Sequence, residues 1–154
     1  MGRLYFEDFA PGEIVEYGDM EVAGEAIVAY ARQFDPQPFH LDEAAARATV
    51  AGGLIASGWH TAAMLTRMNC DAFLSRAAAE GAPGVDELDW LKPVKAGDRL
   101  SVRRATLSAR PSRSRPAIGV VEFRFEVLNQ NAETVMTQKG VVFFRRRAAP
   151  EAAS

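Results

Sequence analysis

The sequence predicts an α+β domain whose helices and strands are segregated along the chain rather than alternating. Three observations carry this. Apolar residues recur at helical spacing in the first half of the chain, and they alternate with a period of two only after the GAPG segment at 81–84. The longest helical segment also carries apolar residues on two opposite arcs, the pattern of a helix enclosed on two sides, for instance by a sheet that curls around it. With 154 residues, 48% hydrophobic and 25% charged, the chain has the make-up of one globular domain. No repeat and no linker rich in Pro, Gly or Ser divides it, so residues 1–147 are read as a single domain. The last seven residues, AAPEAAS at 148–154, are expected to be a disordered tail.

Residues 1–22 read as an arm with a short strand in EIVEYGDMEV, introduced by the turn signal Pro11-Gly12. GEAIVAYARQF at 24–34 follows as a helix with Ile27, Tyr30, Ala31 and Phe34 on its apolar face. Pro36 stops it and places Asp35 just past the last turn, in a loop, DPQPFH, stiffened by two prolines. LDEAAARAT is a second short helix with acids in its first turn. The long helix is expected over 58–79, with Met64, Leu65, Met68 and Ala72 on one arc and Ala63, Cys70, Phe73, Leu74 and Ala77 on the other. Strands are expected in ELDWLK, RLSVRRATLSA, AIGVVEFRFEVLN and TVMTQKGVVFFRR. In the third, Val121, Phe123, Phe125 and Val127 alternate with Glu122, Arg124 and Glu126, so the sheet has one buried and one wet face and is antiparallel. KAGD at 95–98 and NQN at 129–131 read as hairpin turns.

Charge and cysteine content exclude several functions. Eighteen Lys and Arg against 20 Asp and Glu leave a net charge of −2, which argues against general nucleic-acid binding. No apolar run is long enough to span a bilayer, acids occupy the place of a secretory apolar region, and Phe6 breaks the myristoylation pattern begun by Met1-Gly2. Cytoplasmic residence with no membrane association is therefore expected. Cys70 is alone, so no internal disulfide and no cysteine-based zinc site can form. With no base at helical spacing it reads as a small buried hydrophobe rather than a nucleophile.

Two histidines remain for acid–base work. His40 follows Asp35 by five residues, and a carboxylate and an imidazole held by one stiff loop can divide the roles of general acid and general base. Spacing alone favours the plainer reading, in which Asp35 caps or closes the preceding helix and His40 is a buried, hydrogen-bonded histidine. His60, at the start of the long helix, reads as a packing residue there. With His40 and Asp42 it matches no compact metal motif, so no metal site is expected.

FDPQPFHLD at 34–42 resembles the signature of the MaoC-like enoyl-CoA hydratases and dehydratases: Asp, any residue, Asn, Pro, any residue, His, any residue, Asp. Asp35, Pro38, His40 and Asp42 match it in register. GGLIASGWHTAAM resembles the family segment that opens the central helix, and ELDWLKPVKAGDRL the following strand and turn. The resemblance extends over residues 5–146.

It implies a hotdog fold, an antiparallel sheet wrapped around one long central helix, paired into a homodimer or higher homo-oligomer with sites near the subunit interface. It implies catalysis by Asp35 and His40 of water addition to, or loss from, the α,β-double bond of an enoyl-CoA. Coenzyme A belongs to the substrate, and no separate cofactor is implied. Such a reaction also needs donors for the enolate that develops on the thioester oxygen. The backbone amide of Gly58, near a helix N-terminus, is the candidate, although Gly52, Gly53 and Gly58 equally read as glycines that permit close packing.

The chain departs from the family pattern at Gln37, which replaces Asn, and at Ser57 and Trp59, which stand where many members have His and Met. These three are candidate substrate-binding residues. Trp59 either narrows the acyl pocket or serves as a core or dimer-interface aromatic. Arg103, Arg104, Arg110, Arg113 and Arg115 form a basic stretch. Arg113 and Arg115, on the strand connection, are candidates to grip the phosphates of coenzyme A, the alternative being solvated strand faces and a mobile loop. Arg145, Arg146 and Arg147 are expected to lie in solvent. Two other readings stay open on the same fold: an acyl-CoA thioesterase, and a non-catalytic acyl-CoA-binding subunit.

Overall fold

The computed structural model describes residues 2–148. A single 3-10 turn, Phe6–Asp8, precedes β1 (Ile14–Glu21). Three helices follow: α1 (Gly24–Phe34), α2 (Pro38–Leu41) and α3 (Glu43–Arg47). The long helix α4 (Gly58–Ala72) then leads through a 3-10 turn, Leu74–Arg76, into β2 (Ala79–Gly81) and β3 (Glu87–Trp90). The chain closes with three long strands, β4 (Arg99–Pro111), β5 (Ile118–Leu128) and β6 (Thr134–Arg145). All pairings are antiparallel, in the order β1-β4-β5-β6-β2, with β3 alongside β2 on the outer edge of β6.

Period-two patterning explains how this sheet meets its helix. Val121, Phe123, Phe125 and Val127 of β5 are all buried, while Arg124 is exposed. Their inner face meets Met64, Leu65 and Met68 of α4 in one apolar core, which also takes Phe9, Phe73 and Phe144. Phe9 stacks on Phe144 at 4.4 Å and meets Phe123 edge-on at 5.6 Å. β1 closes over the helix at a bulge where the register shifts between Tyr17 and Met20. Gly18 lies at that bulge with φ +89°, and a β-carbon there would sit 2.7 Å from the Met68 sulfur. Only glycine meets both demands.

The α+β architecture and the antiparallel sheet around a central helix are as the sequence predicts, but several local expectations are corrected. α4 ends at Ala72, not at 79, because Phe73 leaves helical geometry (φ −152°) to bury its ring against Phe9 and Phe123. Burial of that ring outweighs the helical pattern of the next residues, which instead make the 3-10 turn and β2. The second apolar arc therefore does not exist on the helix. Ala63 is exposed and Cys70 half-buried, and the single buried face runs through His60, Thr61, Met64, Leu65, Met68 and Asn69.

Phe34, placed on the apolar face of α1, is 65% exposed. The loop after Asp35 contains a helical turn, α2, because Pro38 stands at the first helical position, where its missing N–H costs nothing. KAGD forms a turn with Gly97 at φ +89°, but it links β3 to β4, which are not sheet neighbours, so it is no hairpin. The NQN turn does close the β5–β6 hairpin, with Asn129 Oδ1 accepting from the amides of Asn131 and Glu133.

Arg145, Arg146 and Arg147 are exposed, and each faces a carboxylate, of Glu80, Glu7 and Asp8 respectively. Among the described residues no helix is long and apolar enough to cross a membrane. The tail expected at 148–154 lies, apart from Ala148, outside the described residues.

Candidate active site

The loop geometry that begins with Pro36 brings Asp35 and His40 face to face. Asp35 caps α1, its N–H donating to the Ala31 carbonyl at 2.9 Å, and α2 then turns the chain back so that His40 points at it. His40 Nε2 lies 3.4 Å from Asp35 Oδ2. The other ring nitrogen, Nδ1, is 2.7 Å from the Ile55 carbonyl, an acceptor, so Nδ1 carries a proton and donates it there. That bond fixes ring orientation and leaves Nε2 facing the Asp35 carboxylate. Asp42, the last residue of the signature, faces away from the pair and caps α3 through the Ala44 amide at 2.9 Å.

Asp35 is held as a carboxylate. Ser57 Oγ donates to Oδ2 at 2.7 Å and Gln37 Nε2 donates to Oδ1 at 2.6 Å. The Ser57 bond and then the Gln37 bond push its pKa below the usual carboxylate value, with His40 adding to them, against a partial burial that works the other way. Ser57, fully buried at the N-cap of α4, spends its hydroxyl on Asp35 and makes no side-chain cap to its own helix. The first amides of α4 are thus left without the partner a serine usually supplies.

A cleft of about 450 Å³ opens over these groups, lined among others by Asp35, Gln37, His40, Gly58, Trp59 and Trp90. All six candidates on the stretches 35–40 and 57–59 are therefore near one another: Asp35, Gln37, His40, Ser57, Gly58 and Trp59. Gly58 is also a close-packing glycine. The Trp90 indole covers its α-carbon, and a β-carbon there would sit 2.4 Å from the ring. Trp59 is 60% exposed at the mouth and meets Trp90 edge-on at 5.2 Å, so it is no core residue.

Arg113 and Arg115 are not brought to this cleft. Both are exposed on the β4–β5 connection, and Arg115 borders a separate hollow with Glu80 and Phe143. Strand alternation scatters the rest of the basic stretch: Arg103 faces out towards Glu16 and Glu126, whereas Arg104 is buried. The cation that does line the cleft is Lys92, paired with Glu133.

His60 is buried, its ring stacked on Tyr30 at 4.6 Å and 6°, and burial lowers its pKa, which keeps it neutral. It packs α4 against α1. Sequence reasoning missed the Ile55 carbonyl, which no side-chain pattern can announce, and Trp90. The available signal for Trp90 was its parity with Leu88 on β3, which puts both on the helix side of the sheet. Among the described residues no group of three or more His, Cys, Asp or Glu is arranged to hold a metal ion.

A hotdog sheet with this Asp35–His40 loop against the start of its central helix defines a class, and comparison gives the family. The MaoC-like domain model matches residues 8–127, and the chain belongs to that family. A MaoC-like dehydratase from Rhodospirillum rubrum is 44% identical, with TM-score 0.85 over 94% of this chain and 99% of that one. A structure described as a monoamine oxidase regulatory protein, from Archaeoglobus, is 26% identical, with TM-score 0.86 over 96% and 98% of the two chains. The R-hydratase PhaJ1 of Pseudomonas aeruginosa, at 21% identity, shares the fold with TM-score 0.75 over 99% of this chain and 97% of that one.

Proposed function

We propose that the protein is a cytoplasmic hydro-lyase that adds water to, or removes it from, the α,β-double bond of an enoyl-CoA thioester. The carrying observation is the Asp35–His40 pair, held at 3.4 Å with the carboxylate kept ionised and the imidazole oriented by a backbone carbonyl. In hydration, a water bound to the Asp35 carboxylate gives it a proton as the oxygen attacks C3. Protonated His40 donates the Nε2 proton to C2, and the enolate charge on the thioester oxygen falls on the uncapped amides at Gly58 and the start of α4. The product state is Asp35 neutral and His40 neutral. A proton passed from Asp35 to Nε2 restores both, so no other acid, base or cofactor is consumed.

Gln37 and Trp59 border the substrate in this reading, whereas Ser57, fully buried, acts on it only through its bond to Asp35, and coenzyme A leaves the cleft past Trp90 and Lys92. The protein acts as a homodimer. Of the two sheet edges, β1 is interrupted by its bulge, whereas β3, which among the described residues pairs only with β6, carries exposed Trp90 beside the cleft and is followed by exposed Leu91, with Trp59 close by.

The test is turnover of short enoyl-CoA, followed by loss of the conjugated absorbance. Asp35→Asn and His40→Ala should each lower kcat by at least about a hundredfold while far-UV circular dichroism shows the fold retained. Wild-type rates in either variant would overturn the mechanism, and release of free thiol without hydration would identify a thioesterase instead.

A further inference from the structure

Trp90 is held in an unusual way for a residue that is half exposed. Its indole N–H donates to the Gly58 carbonyl at 2.9 Å, and its ring lies flat on the space a side chain at Gly58 would need, 2.4 Å from a β-carbon built there. The segment after it is pinned to β6, with the amides of Leu91 and Lys92 both donating to the Val135 carbonyl at 2.8 and 3.2 Å. The same connection holds the strip before α4, because the Ala56 amide donates to the Val94 carbonyl at 2.8 Å and Ile55 bridges to Lys95.

Residues 55–58 are therefore held at three points in sequence. That strip presents the Ile55 carbonyl to His40, the Ser57 hydroxyl to Asp35, and the first amides of α4 to the cleft. The last of the three anchors is Trp90. The carbonyl it holds shares a peptide plane with the Trp59 N–H, which points the opposite way, out of the helix N-terminus. We infer that Trp90 is a positioning residue: through its bond to the Gly58 carbonyl it sets the Gly58 and Trp59 amides at a fixed distance from the Asp35–His40 pair. Gly58 is a glycine so that the indole can lie against it. This rests on the hydro-lyase reading above for its catalytic consequence, and on the geometry alone for the anchoring.

Two variants test it. Trp90→Phe keeps an aromatic ring and loses the donor, and Trp90→3-benzothienylalanine keeps the indole shape with sulfur in place of N–H. Both should lower kcat on enoyl-CoA about tenfold with KM within about twofold, a split that loss of a mere substrate-lining surface would not produce. In both, NMR order parameters of the Gly58 and Trp59 amides should fall from about 0.85 towards 0.6, with the Ser57 amide unchanged. Wild-type kcat together with unchanged order parameters would overturn the inference, as would an effect confined to KM. If Trp90→Phe does not fold, the isosteric variant decides. Should the unsubstituted protein hydrate no thioester, the functional reading fails, while the two amide order parameters still decide whether Trp90 holds the peptide.

Discussion

At Asp35 the ionisation state is set by neighbours rather than by the residue itself. Ser57 and Gln37 together occupy both carboxylate oxygens, and each bond favours the charged form. A carboxyl whose pKa is lowered on folding contributes stability above its unfolded pKa and loses it as pH falls through the folded value. These bonds therefore stabilise the fold at neutral pH and are lost only in acid. Ser57→Ala removes the largest of the lowering interactions, so the acid limb of kcat/KM should move to higher pH. A pH–rate profile measures this, and an acid limb that stays in place would show that Asp35 is not the titrating base. The pair was legible through the resemblance of FDPQPFHLD to the family signature, since the spacing of two residues in one short loop did not single it out. Ile55 was not, since any residue offers a carbonyl, and Trp90 was not, since its partner lies 32 residues away in sequence.

β4 shows how an element changes the meaning of its residues. Read as sequence, Arg104 is one member of a basic run. Read on the strand it falls in register with Leu100, Val102 and Thr106, all buried. The guanidinium donates to Glu13 at 2.8 Å and lies 4.5 Å from the centre of the Phe73 ring, with Phe9 and Phe123 also within 5.5 Å. It ties β1's leading turn to β4 and roofs the aromatic cluster. Arg104→Ala should lower unfolding free energy by about 3 kcal/mol, read from urea denaturation, because Glu13 loses its partner and the rings lose their cover. Arg104→Met, which keeps the stem packing, should lose less, and equal losses would show that the charge alone matters. The end of α4 teaches the same lesson: 73–77 are compatible with helix, and only contact with Phe9 and Phe123 decides otherwise.

For the whole molecule the edge of β3 is the feature that bears on assembly. β3 carries the charges of Glu87 and Asp89 together with exposed Trp90, and exposed Leu91 follows it, so a second copy docking here would meet both charge and apolar surface. For the assembly proposed above, sedimentation velocity at micromolar concentration should give a dimer, and Leu91→Lys should shift it towards monomer. A monomeric unsubstituted protein would remove that proposal and leave the cleft as a single-chain site.

By itself the sequence determined the fold class, the course of the four later strands and the Asp35–His40 loop. These depend on local periodicity, on proline, and on residues close together in the chain. Only the tertiary structure decided that Phe73 ends the central helix, that Arg104 is buried while Arg113 and Arg115 lie away from the cleft, that Ile55 and Trp90 complete the site, and that Ser57 bonds Asp35. The end of the helix and the Ile55 and Trp90 contacts join distant segments and leave no mark in the spacing of neighbouring residues, whereas Arg104 is marked by strand alternation and needs the tertiary fold only for its partners, Glu13 and the aromatic rings.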